Sequence, residues 1–137
     1  MATISMHDIS GAQRVWFNIA PIAKTTATQS NVIFEAPFAC KIRDVQIFFG
    51  ATVTGTATDY FNLNLINRST DGTGSTELAA RDYASGTNDT AFVKRALYAP
   101  ATYLAVAVNT VLDLQRELVS AGLAMPSLSG YVEFEGN

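Results

Sequence analysis

His7 and Cys40 are the only histidine and the only cysteine in the chain, and that scarcity bounds the chemistry available. A Ser-His-Asp arrangement would have to take its base from His7, which lies in a polar leading segment poorly suited to accurate placement. Metal sites assembled from several His or Cys ligands are removed by the same count. Cys40 falls at an inward phase of its segment, where a thiol acts as a small hydrophobe and nothing nearby lowers its pKa. Glu133 and Glu135 project from one face of the closing segment, but two carboxylates two residues apart on an exposed face read as a solubilising surface. Asp71-Gly-Thr-Gly74 carries one carboxylate without the alternating Asp/Asn ligands of a calcium loop, and reads as a turn. Gly72 and Gly74 fit neither the GxGxxG spacing nor a GK[ST] ending. No catalytic, metal-binding or cofactor-binding residue is assigned, no cofactor is implied, and the chain is not expected to be an enzyme.

What is left for function is contact. Trp16 and the five tyrosines would stack on sugar rings if they cluster on a surface; scattered, they are core or interface groups. Ile4, Met6 and Ile9 are apolar residues in a segment too short to make its own core, so they are useful if they dock on this domain or another chain. An extended arm can add a strand to a neighbouring sheet; a frayed terminus is the alternative. Ile4, Met6, Ile9 and Trp16 are therefore the candidate protein-contact residues.

The elements that must position them are strands. Val15, Phe17 and Ile19 alternate with Trp16 and Asn18 before Pro21, and Val32 and Phe34 alternate with Asn31 and Glu35. Ala36-Pro37 forces an extended corner. The next apolar positions are Phe38, Cys40 and Ile42, then Val45, Ile47 and Phe49, so the phase changes across Arg43-Asp44. A β-bulge there keeps both halves facing the core, whereas an unbroken strand would drive Asp44 inward. Gly50 to Asp59 reads as a loop with some strand character, and Tyr60 to Asn67 as a half-buried strand with Phe61, Leu63 and Leu65 in phase. Turn-rich breaks follow at Thr70 to Thr76 and Ser85 to Thr90. Glu77 to Tyr83 is open between strand and helical turn. Phe92 to Tyr98 and Tyr103 to Val108 read as strands. Thr110 to Gly122 admits a helix, with a capping box at Thr110 and Asp113 and a stop at Gly122, or a strand, which is favoured for its first half. Gly130 to Glu135 is an alternating terminal strand, with Val132 and Phe134 opposite Tyr131.

The expected fold is all-β: a jelly-roll-like antiparallel β-sandwich of about eight strands, with an N-terminal arm over 1–13 and one sandwich domain over 14–137. A length of 137 residues suits one core, and 48% apolar with 15% charged residues lies far from the composition of disordered chains. The net charge of −3 is spread singly, with no block to track a phosphate backbone or an anionic bilayer, so neither nucleic acid nor membrane is an expected partner. Lys94-Arg95 reads as a solvated strand edge. A lone cysteine allows no intrachain disulfide, and Thr3, Ser5, His7 and Asp8 interrupt the apolar core a signal peptide would need in Met1 to Gly11.

Three stretches carry a family likeness. In Asn31-Val-Ile-Phe-Glu-Ala-Pro-Phe-Ala-Cys-Lys-Ile-Arg-Asp-Val45 a polar-flanked strand leads through a proline corner into a bulged strand, and the pattern returns in Val111-Leu-Asp-Leu114 and Gly130-Tyr-Val-Glu-Phe-Glu135. In these the chain resembles the jelly-roll decoration, or cement, proteins of tailed-bacteriophage heads, including those of short-tailed Bordetella phages. The resemblance implies a virion subunit made in the host cytoplasm and seated on the outer surface of the capsid, often as a dimer or trimer. Its partners would be the major capsid protein, whose contacts it strengthens, and copies of itself. The alternative is a carbohydrate- or receptor-binding sandwich module of a phage fibre or tail.

Overall fold

A computed structural model describes residues 11–136. Alternating apolar residues fold the chain into strands β1 (Gln13–Ile19), β2 (Gln29–Glu35), β3 (Cys40–Phe49), β4 (Val53–Thr54), β5 (Tyr60–Asn67), β6 (Thr76–Asp82), β7 (Asn88–Asp89), β8 (Arg95–Tyr98), β9 (Leu104–Val106), β10 (Val111–Val119) and β11 (Leu128–Gly136). Eight of these have four or more residues. They form two antiparallel sheets, ordered β1-β11-β3-β8 with β9 also on β3, and β2-β10-β5-β6. The chain passes between the sheets after β1, β2, β3, β6, β9 and β10, and the fold is the jelly-roll-like sandwich expected. β4 and β7 make a small separate pair at one end.

The core lies between the sheets. Ile42, Val45, Ile47 and Phe49 of β3, with Val132 and Phe134 of β11, face Phe61, Leu63 and Leu65 of β5 and Leu112 and Leu114 of β10. Cys40 is fully buried among them, and burial pushes its thiol pKa up. The phase change in β3 is resolved by a bulge: Glu133 of β11 pairs with Asp44 and Phe134 with Ile42, so Arg43 is the extra residue. Ile42 and Val45 both stay inside, as the alternation required.

Several expectations need correction. Val32 does not share an inner face with Phe34: it is 69% exposed, and Ile33 and Phe34 are buried instead. A second bulge explains this, since Leu112 pairs with Phe34 and Asp113 with Val32, leaving Ile33 as the extra residue. Val15 points to the inner side but lies on the edge strand, and is exposed. The strand expected from Phe92 starts only at Arg95, because Ala91 and Phe92 form a turn. The one expected over Tyr103 to Val108 is confined to β9, ended by the left-handed Asn109.

The open segments are now defined. Glu77 to Asp82 belongs to β6, with Leu65 paired to Ala79. Thr110 to Gly122 is a strand through Val119, not a helix, and turns at left-handed Ser120 and Gly122. Gly122 is required there twice over: its φ is +77°, and a Cβ would lie 2.2 Å from the Lys24 carbonyl oxygen.

Candidate functional site: an aromatic face on the five-stranded sheet

Strand pairing determines which outward side chains of the five-stranded sheet become neighbours. The register aligns Arg14 of β1 with Glu133 of β11 and Asp44 of β3, then Trp16 with Tyr131 and Gln46, then Asn18 with Ser129 and Phe48. Period-two alternation places these nine residues in three rows on one surface. The middle of the grid is aromatic. Trp16 meets Tyr131 edge-on at 4.9 Å between ring centroids and lies at 6.2 Å and 25° to Phe48, while Phe48 is 6.5 Å from Tyr131. Arg14 stacks its guanidinium 4.2 Å above the Tyr131 ring. Tyr131 is buried beneath these neighbours, whereas Trp16 is 59% exposed.

A polar frame surrounds the rings. Arg14 Nε donates to Glu133 Oε1 at 3.1 Å, and Arg43, the bulge residue, approaches Glu133 at 3.8 Å and Glu135 at 3.7 Å. Arg43 also lies 5.1 Å from the centre of the half-exposed Tyr103 ring. On the other side Ser129 Oγ donates to Asn18 Oδ1 at 2.6 Å. Gln46 Nε2 donates to Asp44 Oδ2 at 3.3 Å. Glu133 and Glu135 do share a face, and arginine ties them into this frame. Opposite charges in cross-strand contact favour this pairing, although exposed pairs of this kind contribute only about 0–1 kcal/mol each.

The face can therefore bind by desolvation. Covering the exposed part of one tryptophan removes roughly 150 Å² from water, about 3–4 kcal/mol, and the rim supplies hydrogen bonds that fix orientation. The opposite, four-stranded sheet offers a different surface. Its outer side is a polar ladder in which Asn62 and Asn64 donate to Glu117, and Arg68 is paired with Asp113 at 2.6 Å. Among the described residues no group of three or more His, Cys, Asp or Glu could hold a metal ion.

Of the residues singled out from the sequence, Trp16 is part of the aromatic face, on its edge strand β1 beside Tyr131. Ile4, Met6 and Ile9, together with His7, lie outside the described residues. Asp71 closes the expected turn, accepting hydrogen bonds from the Thr73 amide at 3.0 Å and its hydroxyl at 2.8 Å. Arg95 starts the edge strand β8 and is paired to Asp89 at 2.7 Å. Phe48 and Tyr131, the partners of Trp16, carry outward phase in the sequence, opposite Ile47, Phe49 and Val132. Only the strand order β1-β11-β3 brings the three together.

No protein-family model matches this chain, and no curated protein does. Among solved structures it is similar to that of infectious bursal disease virus Gx strain, with a TM-score of 0.40 and 8% identity over 90% of this chain and 32% of that one. It is also similar to the structure of the Gt strain, with a TM-score of 0.33 and 13% identity over 97% of this chain and 34% of that one. The chain spans about a third of the length of the solved chains it matches.

Proposed function

We propose that this chain is a non-catalytic structural protein of a virion. In this reading it is a cement subunit that binds the outer surface of a tailed-phage capsid and strengthens contacts between major capsid proteins. The observation that carries it is the 59%-exposed Trp16, which packs with Phe48 and Tyr131 in an aromatic face on the outer side of the five-stranded sheet. Interfaces are enriched in tryptophan, tyrosine and arginine, and a few such anchors provide most of the binding energy. The sequence resemblance to decoration proteins and the jelly-roll-like fold support the same reading. Modest contacts repeated by symmetry stabilise a shell without any single tight site. The segment bearing Ile4, Met6 and Ile9 is proposed as a second contact.

The test is to incubate purified protein with expanded capsids that lack it and to measure occupancy and heat resistance of the shells. Wild type should bind saturably and raise the temperature at which shells rupture. Trp16→Ala should weaken occupancy about 100-fold, the equivalent of about 3 kcal/mol, while its unfolding midpoint stays close to wild type. No saturable binding would sink the proposal.

A carbohydrate-binding module of a fibre or tail is the second reading, favoured by the hydrogen-bonding groups of Arg14, Asn18 and Glu133 beside the ring of Trp16. Trp16 is the only tryptophan, so its fluorescence reports on this face directly. A saturable emission shift on adding oligosaccharides, without capsid occupancy, would replace the first reading by this one.

A further inference from the structure

Phe92 sits where the fold asks for a small residue. Its φ is +62°, in the left-handed region, and among the described residues the other non-glycine residues there are Ser69, Asn109 and Ser120, all small or able to bond locally. Phe92 is also 78% exposed, with Val93 exposed beside it. The turn that presents them is pinned. Val93 N–H donates to Thr90 O at 3.2 Å, Phe92 N–H to Phe49 O at 2.9 Å, and Ala91 N–H to Thr52 Oγ1 at 3.1 Å. An aromatic ring is thus held in solvent by a strained and well-anchored turn, and nothing in the fold accounts for it.

The same chain carries a cleft with apolar walls and a flat cation. Ser30, Val32, Arg68, Gly72, Val111 and Asp113 line a cleft of ≈ 230 Å³ on the outer side of the four-stranded sheet. A cavity of about 150 Å³ is enough to hold benzene. Val32 and Val111 give apolar walls. Arg68, fixed by Nε and Nη2 contacts of 2.8 and 2.6 Å to Asp113, supplies a flat cation that stacks on aromatic faces.

The ring and the cleft of one chain cannot meet. Phe92 hangs from Phe49, which packs on Phe61 at the start of β5, whereas Arg68 follows the end of that strand. Seven residues of strand separate these ends by about 23 Å. Charge also matches between copies: exposed Lys94 flanks the ring, and exposed Asp71 flanks the cleft beside Gly72. We propose that the occupant of the cleft is Phe92 of a second copy of this chain. Reciprocal contacts would close a two-fold dimer, and sequential ones would run round a ring.

Light scattering across roughly micromolar to millimolar concentration tests this without any capsid. Wild type should rise from the single-chain mass, whereas Phe92→Ala, which lacks the ring, and Val32→Glu, which blocks the cleft, should stay monomeric with dissociation constants raised more than about 100-fold. Both positions are exposed, so each variant should keep the wild-type fold, and Phe92→Gly should unfold at a higher temperature than wild type because the turn is relieved. An equimolar mixture of Phe92→Ala and Val32→Glu retains one intact ring and one intact cleft, and should form one-to-one pairs. Wild type that stays monomeric throughout, a Phe92→Ala protein that associates like wild type, or a mixture that fails to pair would each overturn the proposal.

Discussion

Replacing Arg116 with alanine is expected to cost about 4 kcal/mol of folding stability, a large part of the 5–15 kcal/mol typical of a domain. Arg116 is on β10 in phase with Leu112 and Leu114, and only 1% of it is exposed. Its guanidinium lies 5.6 Å from the Phe61 ring centre and bonds to backbone alone: Nη1 donates to Thr26 O at 2.6 Å, and Nη2 to Lys24 O at 3.1 Å and Leu123 O at 2.7 Å. Those carbonyls belong to the two connections, β1 to β2 and β10 to β11, which also exchange hydrogen bonds between Ile22 and Met125 at 2.9 Å. Arg116 therefore stitches both connections to the sheet from inside. Burial without a carboxylate partner lowers its pKa, so the charge itself is costly and the hydrogen bonds must outweigh it.

Two further variants separate the causes. Methionine refills most of the volume but leaves the carbonyls without a donor, so Arg116→Met should still lose about 3 kcal/mol. Lysine keeps the charge but lacks the planar fork that reaches several acceptors, and should lose about 2 kcal/mol. Urea unfolding of the three variants gives the ranking. A methionine variant within about 1 kcal/mol of wild type would show that packing, not hydrogen bonding, is what Arg116 provides.

How far these features could be read from the sequence depends on whether parity was disturbed visibly. The bulge at Arg43 was legible because polar residues separate two apolar runs of opposite phase. The bulge at Ile33 was not, since Val32-Ile-Phe34 is apolar throughout and offers no phase to compare. Phe92 counted as a strand residue by type, because a left-handed turn ordinarily shows itself through glycine or asparagine. Arg116 did leave a signal, as a charge at an inward position between Leu114 and Leu118, but the helical alternative over that stretch concealed it. Asp89 left none: it lies in a segment that reads as a turn, and its partners meet it only once two sheets are stacked.

Asp89 carries the second large expectation: its replacement by alanine should cost about 3–4 kcal/mol at neutral pH. The carboxylate is 3% exposed and takes four hydrogen bonds. Arg81 donates through Nε at 2.9 Å and Nη2 at 2.8 Å, Arg95 through Nε at 2.7 Å, and the Tyr83 hydroxyl at 2.6 Å. Arg81 is on β6 and Arg95 on β8, the edge strands of opposite sheets, so one side chain clasps the sandwich along its open side. Tyr83 carries the link inward, packing on Phe49 at 5.6 Å and Phe61 at 4.7 Å. Arg95 is nearly half exposed, so its share is screened by solvent and most of the effect belongs to Arg81 and Tyr83.

The clasp also has a pH signature. Burial alone would raise the Asp89 pKa, but hydrogen bonds from Arg81, Tyr83 and Arg95 outweigh it and hold the carboxyl below its ordinary value. A folded pKa below the unfolded one, about 3.9, means that the unfolded chain binds the proton more readily. The stabilisation is then complete above about pH 4 and is lost as pH falls through the lower folded value. Asp89→Asn, which keeps the shape and removes the charge, should trail wild type by about 3 kcal/mol from pH 7 down to about pH 4, and the gap should close on further acidification. Tyr83 acts in the opposite range: burial first, then its hydrogen bond to Asp89 and the charge there, raises its phenol pKa, so its contribution is present below the unfolded value of about 10 and fades above it. Urea midpoints for wild type and Asp89→Asn across both ranges test the assignment. A gap that stays constant into strong acid would mean that the carboxylate charge is not what holds β6 to β8.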